Sequence, residues 1–189
     1  SLPADADTPV VLFVGALSTL KGVDDLVEAS AALATRRPHR LVLVGDGPLA
    51  PALRASAPAH VRLTGPLPRE RVREWVRRAR VIVLPTKPMQ GRQEAAGLVL
   101  LEALASGLPV AAFPVKGPRD VIGDAPVGAL DEDLRSACLA ALDISRPACV
   151  AFAANYTWEA SARAFVDSIV AVGAVLPGRT GADQARFVA

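Results

Sequence analysis

Two glutamates stand eight residues apart in Glu94-Ala95-Ala96-Gly97-Leu98-Val99-Leu100-Leu101-Glu102. Carboxylates accept hydrogen bonds from hydroxyl groups, so a pair at this spacing can hold two parts of one polyol ligand. Leu98 to Ala105 reads as a helix, which Gly107-Leu108-Pro109 closes ahead of the apolar strand Val110–Phe113. Glu94 then lies in the loop before the helix, with Glu102 about two turns further along. Gly97, at the junction, lets backbone N–H groups approach an anion at the positive end of the helix. Carboxylates on both sides of such a helix start suit a ligand that carries hydroxyls and phosphates together, as a sugar nucleotide does. The same spacing also describes a plain helix with one capping and one exposed glutamate.

Lys21 follows the first apolar run, where a loop enters a helix. A lysine there can neutralise a diphosphate while the helix end contributes N–H groups, or can simply be solvated. The loop from Thr86 to Glu94 is polar and carries two cations, Lys87 and Arg92, which face either a diphosphate or solvent. Met89 in the same loop is read as a packing residue. In Gly45-Asp46-Gly47-Pro48 the proline suits the first position of a short helix and Asp46 suits its cap. Arg69, Arg71, Arg73, Arg77, Arg78 and Arg80 crowd one helix with Glu70 and Glu74 interleaved. That pattern is a solvated face or an attraction to anionic lipid. Nucleic acid is the weaker partner, because no aromatic platform accompanies the charge. His39 and His60 belong to no motif and read as loop residues.

The elements that must position these groups alternate in type. Val10 to Val14, Arg40 to Val44, Val61 to Leu63, Val81 to Leu84 and Val110 to Phe113 are strand-like. Between them, Val23, Leu26, Val27, Ser30 and Leu33 mark one helix face, and Val72, Trp75, Val76 and Ala79 another. Further helices are expected from Asp131 to Leu142 and from Trp158 to Val172. Such alternation predicts an α/β, Rossmann-like three-layer domain with a parallel sheet and helices on both faces. Ligands of these sheets lie outside the carboxyl ends of the strands. Gly15, Gly45, Gly65, Thr86 and Phe113 all fall at or just past those ends. Residues 1–8 read as a linker, 9–173 as the nucleotide-binding domain and 174–189 as a tail.

Composition narrows the class. The 189 residues are 51% apolar but only 4% aromatic, so the core must be built from Val, Leu, Ala and Ile. A formal charge of +2 gives no whole-molecule field that argues for nucleic acid. Cys138 and Cys149 lack metal-ligand spacing and are read as reduced, buried thiols of a cytoplasmic protein. No apolar run approaches the ~18 residues that span a bilayer.

Taken with Val11-Leu12-Phe13-Val14-Gly15, Lys21-Gly22-Val23, Leu41 to Leu49 and Leu63-Thr64-Gly65, the paired glutamates resemble a known family. The sequence is similar to the C-terminal, donor-binding half of GT-B retaining glycosyltransferases of family GT4, from about Pro9 to about Phe165. The resemblance implies transfer of a sugar from a UDP- or GDP-linked donor to an acceptor hydroxyl with retention, in bacterial polysaccharide or glycoconjugate synthesis. It assigns Glu94 to the transferred sugar, Glu102 to the nucleotide ribose and Lys21 to the leaving diphosphate, making Glu94 and Lys21 the catalytic pair. Gly15, Ala16, Gly45, Leu67, Lys87, Arg92, Ala95, Ala96, Gly97 and Leu98 complete the implied donor site. Thr64 to Leu67 would meet the base through main-chain groups and one apolar side chain.

The family carries Gly-Arg-Leu-x3-Lys-Gly after the first strand, and here Ala16 occupies the arginine position. The resemblance implies no metal and no cofactor beyond the donor. Its partners are the nucleotide sugar, an acceptor glycan or lipid-linked sugar, and an N-terminal domain that holds the family's catalytic histidine. The location is the cytoplasm, with peripheral contact at the inner membrane surface left open. Two other readings stay open, a non-catalytic nucleotide-sugar-binding fragment and a GT-B epimerase. An NAD enzyme would need G-x-G-x-x-G after the first strand, which Gly15-Ala16-Leu17-Ser18 does not supply.

Overall fold

The computed structural model describes residues 8–86 and 97–157, with positions 159–160, 162–163 and 166–167 beyond them. Two compact units divide the chain, Ser1–Ala153 and Ala154–Ala189. In the second unit the described positions 159–160, 162–163 and 166–167 are helical, within the range expected for the terminal helix.

The first unit runs β1 Val10–Val14, α1 Val23–Ala34, β2 Arg40–Val44, α2 Ala50–Ser56, β3 Val61–Gly65, α3 Arg69–Arg78 and β4 Val81–Leu84. It continues with α4 Gly97–Ala105, β5 Val110–Ala112, α5 Lys116–Ile122, β6 Gly128–Leu130, α6 Leu134–Leu142 and α7 Arg146–Ala153. The strands form one parallel sheet in the order β3-β2-β1-β4-β5-β6. Two cores follow from the two-residue period of the strands. Val11, Phe13, Leu41, Leu43, Val81 and Val83 point to α1 and α6, against Leu26, Leu33 and Leu142. Leu12, Val42, Val44, Ile82 and Leu84 point the other way, against Trp75, Leu100 and Leu104 of α3 and α4. Both faces are therefore covered by helices, and the strands read as unbroken apolar runs for that reason. Each such side chain removed from water contributes roughly 1.5–3 kcal/mol before entropy is counted.

Several local expectations needed revision. Helix α2 starts at Ala50 with Leu49 as its cap residue, so Pro48 stands ahead of the helix. Asp46 accepts from Gly47 N–H at 2.9 Å and does not cap α2. Arg80 leaves the solvated face of α3, and its Nε donates to the Leu142 carbonyl at 2.8 Å. The stretch from Lys116 to Ile122, after β5, forms the helix α5. Helix α6 begins at Leu134, later than expected, because Asp133 caps it by accepting from Arg135 N–H. Arg135 beside it holds the Asp133 carboxyl down to about 2. The strand β6 and helix α7 were not anticipated. Arg146 ties α7 to the fold by donating to the carbonyls of Ala79 and Ser106.

Both cysteines are free and buried, and burial pushes the Cys138 thiol up to about 12. Among the described residues, no single helix is long and apolar enough to cross a membrane.

Candidate functional site

The strand order reverses between β1 and β4, which opens a crevice beyond their carboxyl ends. Three loops wall it. The loop after β1 is stitched to the loop after β2: Gly15 N–H donates to Val44 O at 3.0 Å, Leu17 N–H to Asp46 O at 2.9 Å and Leu49 N–H to Leu17 O at 2.9 Å. Leu17 is fully buried and anchors this loop from below. Gly45 N–H in turn donates to Gly65 O at 3.0 Å, which joins the loop after β3. Gly45 has φ +138°, and a Cβ there would overlap the Gly15 carbonyl oxygen. The two loops can approach this closely only with glycine between them.

Lys21 ends a single 3-10 turn, Thr19–Lys21, that leads into α1. The next residue, Gly22, is left-handed at φ +66°, and a Cβ on it would overlap the carbonyl oxygen of Pro85. That contact fixes Lys21, half-buried, beside the chain as it leaves β4 towards Thr86. Ala16 lies on the same loop and is exposed.

Helix α4 starts at Gly97 after the loop from β4, so its N-terminal turn lies at the carboxyl rim. Leu100, Ala103 and Leu104 are buried against the sheet. The opposite face presents Leu98, Val99, Glu102 and Ser106 to solvent, with Leu98 78% exposed. An exposed apolar pair one turn before a carboxylate is an unusual use of a helix surface, and it offers both apolar contact and a hydrogen-bond acceptor to a ligand. Ser106 Oγ donates to the Glu102 carbonyl at 2.9 Å, which leaves the Glu102 carboxylate out of that bond.

Gly15, Ala16, Lys21, Gly45 and Gly97 therefore gather at one rim, and Leu98 and Glu102 lie on the helix that rises from it. Leu67 is half-buried two residues past β3 and packs on the core of the α3–α4 face. Lys87, Met89, Arg92, Glu94, Ala95 and Ala96 lie outside the described residues.

Sequence reasoning missed a polar cluster at the other end of the sheet. His39, only 3% exposed, and His60 meet edge to face with centroids 5.3 Å apart. Ser30 Oγ lies 2.8 Å from His39 Nε2 and 3.0 Å from His60 Nε2. His39 Nδ1 is 3.0 Å from the Arg37 carbonyl, which can only accept, so Nδ1 carries the proton of the neutral ring. His39 Nε2 then accepts from the Ser30 hydroxyl, whose oxygen accepts from His60 Nε2–H. The available signal was Ser30 itself, a polar residue on the apolar stripe of α1.

Burial, and secondarily His39, lowers the pKa of His60. The unfolded chain takes up this proton near pH 6.5 and the folded chain only at lower pH, so stability falls as pH drops through that window. Melting temperatures measured from pH 7.5 to 5 should decline in the native chain and decline less in His60→Gln. Parallel declines would locate the effect elsewhere.

Comparisons with known proteins bear on the family and the fold. The model of the family described as glycosyl transferases group 1 matches residues 8–143. A D-inositol 3-phosphate glycosyltransferase of Thermobispora bispora is 35% identical over 85% of this chain and 42% of its own length. An alpha-D-kanosaminyltransferase of Streptomyces kanamyceticus is 34% identical over 65% of this chain and 32% of its own. The chain thus spans about a third to two fifths of the length of these curated relatives. Among solved structures, the pneumococcal O-GlcNAc transferase GtfA, in complex with UDP and GlcNAc, superposes with a TM-score of 0.65 at 20% identity. That likeness covers 86% of this chain and 35% of the transferase. TarM superposes with a TM-score of 0.64 at 19% identity, over 84% of this chain and 34% of its own. At such identities the structures speak for the fold, while the family match speaks for descent: the chain belongs to the glycosyl transferases group 1 family.

Proposed function

We propose that this chain is the donor-binding half of a retaining glycosyltransferase that moves a sugar from a UDP- or GDP-linked donor to an acceptor hydroxyl. The observation that carries the reading is the rim at the β1/β4 switch point. There a glycine-clamped loop holds Lys21, and α4 exposes Glu102 about one turn after Leu98 and Val99. In this reading Lys21 offsets charge that develops on the leaving diphosphate, helped by N–H groups at the start of α4. Glu102 accepts from the ribose hydroxyls and Glu94 from the transferred sugar. Gly15, Gly45, Leu67, Lys87, Arg92, Ala95, Ala96, Gly97 and Leu98 shape the remaining donor surface. The donor is the only cofactor-like molecule required, and charge stabilisation comes from side chains and backbone without a metal.

The acceptor, a glycan or lipid-linked sugar, and the residue that assists its hydroxyl belong to a second domain. The products enter bacterial polysaccharide or glycoconjugate synthesis, in the cytoplasm or at the inner face of its membrane. A thermal-shift and calorimetric panel of UDP, GDP and their sugars tests the reading. One nucleotide should bind with saturation, and the 189-residue chain alone should turn over no donor onto an acceptor. A chain that binds no nucleotide, or that transfers sugar unaided, refutes the assignment.

Ala16 favours a second reading, a module that binds a donor weakly and performs no chemistry. The family arginine at that position would add a guanidinium to the rim that Lys21 shares. Ala16→Arg should tighten diphosphate binding by about 1 kcal/mol, roughly fivefold, at low salt. The gain should shrink towards physiological ionic strength, where the Debye length is ~8 Å. Calorimetry at two salt concentrations measures it, and an unchanged affinity at low salt would mean another cation already serves.

A further inference from the structure

A large concavity lies away from the rim. A groove of about 1350 Å³ opens at the amino ends of β2 and β3, where its lining includes Val10, Arg40, Val42, Arg62, Trp75 and Arg78. It lies about a strand length from the rim, on the order of 15 Å for five residues. Register explains how three arginines meet there. Arg40 and Val42 are two apart in β2 and share a face, and Val42 pairs with Arg62 of β3. Arg78 stands three residues after Trp75 on α3, so both lie on the flank of the helix that turns towards that face. The Arg62 guanidinium sits 6.0 Å from the centre of the Trp75 ring.

Charge makes this a candidate for an anion. Residues 54–80 contain eight arginines and two glutamates, a local balance of +6 in a chain whose total is +2. The groove lining contains four arginines, two histidines and no carboxylate among the described residues. Nearby pairing consumes part of the excess, since Arg71 binds Glu74 at 2.6 Å and Arg54 approaches Asp46 at 3.7 Å. Arg62 and Arg78 make no such pair with a described carboxylate. The Arg62 and Arg78 guanidiniums, carried by β3 and α3, are planar forks with several N–H donors each, which suits them to a phosphate oxyanion.

We propose that this groove is an anion site, separate from the rim, that takes a phosphate group through Arg62 and Arg78 with Arg40 alongside. A free phosphate and the phosphate headgroup of a lipid share that chemistry, and the surrounding positive field would draw either one in. The site is independent of the donor assignment, because no residue of the rim contributes to it.

Trp75 supplies the readout. The chain has two tryptophans, so Trp158→Phe leaves Trp75 as its sole tryptophan emitter. Its fluorescence is followed against inorganic phosphate, and against vesicles of phosphatidylglycerol in phosphatidylcholine, with pure phosphatidylcholine vesicles as the neutral reference. Saturable change with phosphate assigns a free-phosphate site. Change only with anionic vesicles assigns the headgroup. In either case R62Q/R78Q should weaken binding at least tenfold, and E102A should leave it unaltered. R62K/R78K keeps the charge but removes the forks, and serves where the glutamine pair does not fold; it should lose several-fold. No change of signal with phosphate or anionic vesicles, parent-like binding by the arginine variants, or displacement of the anion by duplex DNA at lower concentration would each overturn the proposal.

Discussion

Glu102→Ala is expected to cost the chain most of its affinity for a free nucleoside diphosphate while leaving the fold intact. The residue is exposed in the middle of α4, and alanine there is at least as good a helix former, so stability should hold or rise slightly. A hydrogen bond to a charged partner is worth ~1.5–3 kcal/mol, which corresponds to roughly a 10- to 150-fold rise in Kd. Glu102→Gln keeps the shape and one acceptor oxygen, and should fall between the native chain and Glu102→Ala. Glu94→Ala makes the useful contrast. If Glu94 serves the sugar, that variant should retain the free nucleotide and lose preference among sugar nucleotides. Calorimetry with the nucleotide and with its sugar conjugates separates these patterns, and equal loss of the free nucleotide by both variants would defeat the division of roles.

Gly22→Ala is expected to destabilise the first unit by ~2–4 kcal/mol and to weaken diphosphate binding with it. Part of the cost is conformational, about 1 kcal/mol for a non-glycine residue held at φ +66°. The larger part is steric, since the new methyl would overlap the Pro85 carbonyl oxygen and push the loop after β1 away from β4. Lys21 is the residue before it and would move with it. Gly65→Ala isolates the first cost. Its φ is +76° but nothing lies within 4 Å of the added carbon, so only the conformational term, about 1 kcal/mol, should appear. Urea denaturation of both variants measures the difference. Equal midpoints would show that Pro85 yields freely and that the loop is not clamped.

Strands β1, β2 and β4 were legible because their Val/Leu runs are bounded by charge, glycine or proline and are buried on both faces. Helix α1 was legible because Val23, Leu26, Ser30 and Leu33 repeat at helical spacing, and all four are buried. The paired glutamates and the glycines past the strand ends pointed to the carboxyl rim before any coordinates, since in a βα repeat those positions must fall at one edge. Elements β6 and α7 were not legible: three residues, Gly128–Leu130, are too few to show a period, and α7 opens directly on Arg146-Pro147.

Sequence by itself determined the alternation of elements, hence the parallel sheet, and which side chains could serve a phosphorylated sugar ligand. Those are local properties, set by the spacing of apolar residues and by the chemistry of Lys21, Glu94 and Glu102. Tertiary structure alone decided what depends on residues far apart in the chain. It brought Gly22 against Pro85, joined Ser30 to His39 and His60, and aligned Arg40 with Arg62 and Arg78. Each of these rests on strand order and register, which long-range packing selects and no local spacing encodes.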